Sequence, residues 1–124
     1  MGPGPDSEAL LRDRTNAYWQ HKVKKEFAEA YLMEAPEVRK GVSVTDYVQA
    51  SAWGVIWIAV SVESVSIQGD QGAVKIKITY AMLGMYAPQG GIIQVITDCW
   101  QYVEGQWYHL PDCPKKKKRW GSGS

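Results

Sequence analysis

Residues 73–83, AVKIKITYAML, alternate in polarity with a period of two. Val74, Ile76, Ile78 and Tyr80 fall on one side, and Lys75, Lys77 and Thr79 on the other. Successive side chains of a pleated strand point to opposite faces, so this segment suits a strand with one buried face and does not suit a helix. The flanking chain supplies its partners. From Trp53 to Val103 the sequence is rich in Val, Ile, Thr, Tyr and Trp, which favour half-buried pleated surfaces. WIAVSVESVSI (57–67) runs into the turn QGDQG, APQGG (87–91) is a loop, and IIQVITDCWQYV (92–103) is a long strand. The dipeptide EG then makes a tight turn into a last strand, QWYHL (106–110). The expectation is a four-stranded antiparallel meander.

A different period governs the N-terminal half. In residues 6–23, DSEALLRDRTNAYWQHKV, the residues Leu11, Thr15, Tyr18 or Trp19, and Val23 recur at helical spacing. Asp6 or Ser7 is placed to cap this helix, and Glu8 suits the positive end of its dipole. KKEFAEAYLME predicts a second helix with Phe27, Tyr31 and Leu32 on one face, ended by Pro36. SVTDYVQAS predicts a third, with Ser43 and Asp46 spaced as a capping box. The fold class is therefore α+β: three N-terminal helices packed on one face of a strongly bent antiparallel sheet. One domain spans 6–112. MGPGP (1–5) reads as a linker or leader remnant, and 113–124 as a basic disordered tail that ends in the linker GSGS. Within that tail PKKKKRW (114–120) resembles a nuclear-localisation signal, but a run of like charges reads first as a solvated tail.

Composition narrows the function classes. Lys plus Arg number 14 against 13 for Asp plus Glu, which argues against a domain-wide nucleic-acid surface. No apolar run is long enough for a membrane span. No charged-then-apolar leader opens the chain, and a leader removed upstream would leave the same sequence, so the compartment is open between cytoplasmic and extracytoplasmic. Cys99 and Cys113 are too few for a disulfide framework, and pairing them requires the tail to bend back. His21 and His109 are the only histidines and there is no C-x-x-C spacing, so neither a metal nor a cofactor is expected. Six Trp and seven Tyr against one Phe suit cavity walls as well as cores, because both rings carry a polar tip.

The densest chemistry lies in ITDCWQYVEGQWYHL (96–110). With Glu104–Gly105 as the turn, Tyr102 lies opposite Trp107 and Trp100 opposite His109. Asp98, Trp100, Tyr102, Trp107 and His109 then share one face, provided no bulge shifts the parity. Val95, Cys99, Val103, Tyr108 and Leu110 share the other, with Ile93. This outer apolar strip, rimmed by Lys75, Lys77 and Thr79, suggests a partner surface. The large rings Trp19, Tyr31, Trp53, Trp57, Tyr80 and Trp100 are candidates to line an inner pocket, or to fill it.

Three pieces together resemble the nuclear transport factor 2-like superfamily, which includes ketosteroid isomerases and scytalone dehydratase, and its uncharacterised bacterial members most of all. They are RTNAYWQHKVKKEFAEAYLM, VSVESVSIQGDQGAVKIKITY and TDCWQYVEGQWYHL. The resemblance implies a cystatin-like cone, in which a bent sheet wraps a long helix and leaves a pocket at the open end, and it implies a homodimer through the outer sheet face, at Val95, Cys99, Val103 and Tyr108. In the isomerases a first-helix Tyr and a terminal-hairpin Asp form an oxyanion hole, a role that passes by resemblance to Tyr18 and Asp98. The isomerases also need a carboxylate base after the second helix, and Glu34, Glu37 and Asp46 do not match that pattern. His109 is the remaining candidate base. The leading expectation is thus a domain without a full catalytic set that binds a small apolar molecule in its pocket. The alternatives are an isomerase- or dehydratase-like enzyme using Tyr18, Asp98 and His109, and an interaction module acting through the outer sheet face.

Overall fold

The computed structural model describes residues 7–84 and 90–114. Among the described residues four helices precede the sheet: α1 (Ser7–Val23), α2 (Phe27–Leu32), α3 (Pro36–Gly41) and α4 (Val44–Ala52). Four strands follow: β1 (Val55–Gln68), β2 (Gln71–Met82), β3 (Ile92–Val103) and β4 (Gln106–Leu110). They form one antiparallel sheet in the order β1-β2-β3-β4. The chain is therefore α+β, with helices packed on a four-stranded antiparallel sheet. The residues at positions 1–5 and the run KKKKRW, including the suggested localisation signal, lie outside the described residues, as does Asp6. No described helix is long and apolar enough to cross a membrane.

The N-terminal helix follows its stripe. Leu11, Thr15, Tyr18 and Trp19 are buried, while Val23 is only partly so. Lys25 adopts a left-handed conformation (φ 63°), and the backbone N–H of Glu26 closes back on the carbonyl of His21 at 2.7 Å. This ends α1 and delays the second helix to Phe27, three residues later than the helical pattern predicts. Its buried face also differs: Phe27 and Ala30 are inside, and Leu32 is 62% exposed. Pro36 has two effects where one was expected. It ends α2 and also opens the additional helix α3, because a proline costs nothing at the first helical position, where its missing N–H has no intrahelical role. Ser43 caps α4, its Oγ accepting from the Asp46 N–H at 3.1 Å.

Alternation in β2 is as the sequence predicts, with Val74, Ile76 and Ile78 buried and Lys75 and Lys77 exposed. The terminal hairpin also keeps the expected register: Val103 pairs with Gln106, Tyr102 with Trp107 and Trp100 with His109. Its turn residues Glu104 and Gly105 both have positive φ, 47° and 87°, the two-residue turn whose twist matches that of the strands. No bulge interrupts β3–β4. The register shifts fall in β1 instead, between Trp57 and Ala59 and between Val62 and Ser64. Trp100 and Trp107 are fully buried with Leu11 and Tyr18. Gly72 admits this packing, since a Cβ there would collide with the Leu11 Cδ2 and crowd the Trp107 ring at 3.3 Å.

A disulfide joins Cys99 and Cys113 across a sequence separation of 14, with Cα atoms 5.2 Å apart. Cys99 pairs in register with Leu110, so the chain does bend back after β4 to bring Cys113 over the strand. Closing a loop of this length restricts the unfolded chain by about 3 kcal/mol. Reduction, or Cys113→Ser, is therefore expected to lower the melting temperature by about ten degrees for a domain of this size. A calorimetric scan with and without reductant checks this, and an unchanged midpoint would show that the link adds nothing to stability.

Candidate functional site

Pro36 sets the backbone of the site. It holds Ala35 extended (φ −56°, ψ 146°), since the residue before a proline avoids the helical region. Residues 33–35 consequently leave α2 and run beside β4. The His109 N–H donates to the Met33 carbonyl at 2.8 Å, and the Ala35 N–H donates to the His109 carbonyl at 2.9 Å. This is a parallel bridge between Glu34 and His109. It satisfies backbone groups on the sheet's last strand and places the Glu34 carboxylate against the imidazole.

The result is a buried row of three ionisable side chains. Glu34 Oε1 lies 2.7 Å from His109 Nδ1, and Asp98 Oδ1 lies 2.8 Å from His109 Nε2. Carboxylate oxygens accept, so both ring nitrogens donate and the ring is an imidazolium. The outer oxygens are bonded as well. Tyr18 and Tyr47 donate their hydroxyls to Glu34 Oε2 at 2.5 and 2.6 Å. The indoles of Trp19 and Trp100 donate to Asp98 Oδ2, both at 2.9 Å. The Tyr18 ring stacks on the imidazole at 4.1 Å with a 17° interplanar angle.

Each protonation state has a physical cause. Burial opposes charge on His109, but hydrogen bonds and attraction from Asp98 and Glu34 outweigh it and push the ring up to about 9. Burial raises Glu34, yet the bonds from His109, Tyr18 and Tyr47 leave it below the ordinary carboxylate range. Burial and then the Glu34 charge hold the Tyr18 hydroxyl well above its usual value, and burial with the Glu34 bond raises Tyr47 likewise. Burial lowers Lys22, while Glu34 and Asp98 act against that shift.

Two depressions adjoin this row. One of about 330 Å³ is lined by Tyr18, Trp19, Lys22, Asp98, His109 and the disulfide, among others. The second, of about 450 Å³, is walled by Val38, Val42, Trp53, Val55 and Trp57. Lys22, Glu34, Tyr47 and Pro111 line both, so the two depressions adjoin, with polar groups between them and an apolar wall on the larger. Trp53 stands on that wall with 77% of its surface exposed.

The sequence-predicted residues divide on this geometry. Tyr18, Asp98 and His109 do come together, but not as an oxyanion hole with a base. Asp98 is an acceptor at both oxygens, the Tyr18 proton is directed at Glu34, and His109 has no free nitrogen. Of the pocket candidates, Trp53 and Trp57 line the larger depression and Trp19 the smaller. Trp100 is fully buried beneath them. Tyr31 turns away and donates its hydroxyl toward the carbonyls of Arg39 and Val42, and Tyr80 donates to Gln94 Oε1 at 3.2 Å; neither lines these two depressions. On the other sheet face Val95 is 56% exposed. Cys99, in contrast, is buried in its disulfide, Val103 is half-buried, and Tyr108 lies under the guanidinium groups of Arg14 and Arg39 at 5.7 and 5.6 Å. Of the strip predicted for a dimer face, Ile93 and Val95 are the residues left largely exposed.

Sequence reasoning set Glu34 aside as a base and did not single out Tyr47 or Lys22, all of which line both depressions. Glu34, only 3% exposed, has one signal in the sequence: an acid between apolar residues immediately before Ala-Pro, on a stretch that the proline forces to be extended.

No family model matches the chain, and no curated protein matches it. Solved structures do. A SEC-C motif containing protein from Psychrobacter arcticus aligns with a TM-score of 0.65 at 12% identity, over 94% of this chain and 70% of that one. A SEC-C motif containing protein from Rhodopseudomonas palustris aligns with a TM-score of 0.54 at 24% identity, over 82% and 73% of the two chains. At such identities the likeness shows the fold alone. These neighbours overturn the resemblance to the nuclear transport factor 2-like superfamily, which no family model or curated protein supports. The physical reason is plain: a helix stripe followed by two hairpins reports periodicity and turn chemistry, which many α+β folds share.

Proposed function

We propose that this domain binds a small apolar molecule in the cleft beside the Glu34–His109–Asp98 row and is not a catalyst. The observation that carries the reading is Trp53, a large ring 77% exposed on a wall otherwise made of Val38, Val42, Val55 and Trp57. An exposed apolar patch set in a concave surface gains free energy when a ligand covers it. The reading takes the sheet as curled toward the helices, a shape favoured by the two irregularities in β1, since bulges bend and twist a strand. Every proton of the buried row is spent within it and every carboxylate oxygen already accepts at least one bond, so the row acts as a rigid floor.

A panel of small aromatic compounds is expected to raise the melting temperature, because a ligand that binds only the folded state stabilises it by mass action. The same compounds are expected to shift the tryptophan emission to shorter wavelength. Trp53→Ala is expected to abolish most of that emission shift and to weaken binding about ten-fold or more, as loss of a buried aromatic contact does. Unchanged melting across the panel at millimolar concentration would refute the reading.

A further inference from the structure

Lys22 leaves α1 at the junction of the two depressions and lines both. Its ammonium sits 5.5 Å from the Tyr18 ring centroid and 5.4 Å from that of Tyr47. The quadrupoles of those rings favour a cation there. Among the described residues no carboxylate lies within ion-pair distance of it, and none of its three N–H groups has a hydrogen-bond partner. Of the other polar groups, the Tyr47 proton goes to Glu34, every oxygen of Glu34 and Asp98 already has a donor, and the hydroxyls of Thr97 and Ser51 carry no charge. Among the described residues that line the cleft, the one charged donor without a partner is therefore this half-buried ammonium, which sits beside an apolar wall.

We infer that the cleft selects a ligand with a carboxylate head, bound by Lys22, and an apolar body laid against Trp53 and Trp57; this rests on the cleft reading above. An ammonium on aromatic faces, already stripped of part of its water, forms a stronger charge-assisted bond to an anion than it would in solution. The buried row carries a net charge of one negative unit, since two carboxylates flank one imidazolium, and that charge repels an incoming anion. Coulomb attraction falls with distance, so a carboxylate in contact with Lys22 gains more from that contact than it loses to charges it does not touch. A ligand bearing a second amine or guanidinium finds no unpartnered carboxylate oxygen.

The test compares naphthoate with its uncharged amide, which has nearly the same shape, by isothermal titration on the intact protein. Naphthoate is expected to bind about ten-fold more tightly than the amide, the scale of one charge-assisted bond. Lys22→Met is expected to remove that preference while leaving amide affinity within about three-fold. Lys22→Arg is expected to retain it, and both variants are checked for an unchanged circular dichroism spectrum. Equal affinity of the two compounds for the unaltered protein would overturn the carboxylate inference and leave the cleft reading standing. A preference for naphthoate that survives Lys22→Met would also overturn it. Binding by neither compound would remove both.

Discussion

Replacement of His109 by alanine is expected to cost about 3–5 kcal/mol, the range for removing one partner of a buried ionic set. The imidazolium is the shared donor of Glu34 and Asp98, at 2.7 and 2.8 Å. Without it two carboxylates remain in the interior with no opposite charge in contact, and the stacked Tyr18 ring loses its support. A loss of this size is a large share of the 5–15 kcal/mol that typically holds a domain together. Glu34→Gln is expected to be nearly as severe, because a carboxamide turns one acceptor into a donor while Tyr18, Tyr47 and His109 all offer protons. Urea unfolding of each variant measures these costs. Losses below about 1 kcal/mol, the scale of an exposed ion pair, would show that the row is open to water.

Stability is expected to be greatest between about pH 4.5 and 6.5, bounded by Glu34 on the acid side and His109 on the alkaline side. His109 rises from an ordinary 6.5 to about 9 on folding. A folded value above the unfolded one means that its contribution is complete below 6.5 and is lost as pH climbs through 9. That interval corresponds to about 3 kcal/mol. Glu34 has the opposite sign. Its folded value lies below the ordinary 4.5, so its contribution is present above that pH and disappears as acid titrates it through the folded value. Urea midpoints followed from pH 5 to about 9.5 are expected to fall on the alkaline side, and His109→Gln is expected to flatten that fall. A midpoint independent of pH over this range would mean that His109 titrates alike in both states.

The sequence carries the fold further than the site. The register of β3 and β4 follows from Glu104–Gly105 alone, because a two-residue turn fixes the pairing of every residue beyond it. Period two in AVKIKITYAML is enough to separate buried Val74 and Ile76 from exposed Lys75 and Lys77. The third of the four helices was not legible, since Pro36 both ends one helix and begins the next, and only the first effect has an obvious sequence signal. Asp98 was legible as an acid among aromatics, but not as an acceptor, because the indole of Trp19 that bonds it lies 79 residues away in the chain. Glu34 is hidden for the same reason, with His109 at a separation of 75. Such pairings depend on where α1 and the 33–35 stretch settle on the sheet, and no local period encodes that. The disulfide depends on the path of the chain after β4, which the spacing of Cys99 and Cys113 leaves open.

A nitrogen-detected NMR titration of the His109 ring tests most directly whether the row is a closed, charged floor. Both ring nitrogens are expected to carry protons in neutral buffer, to exchange slowly, and to titrate only near pH 9. A ring that titrates near 6.5, with one nitrogen unprotonated at neutral pH, would contradict the clamped imidazolium and return His109 to the role of a base.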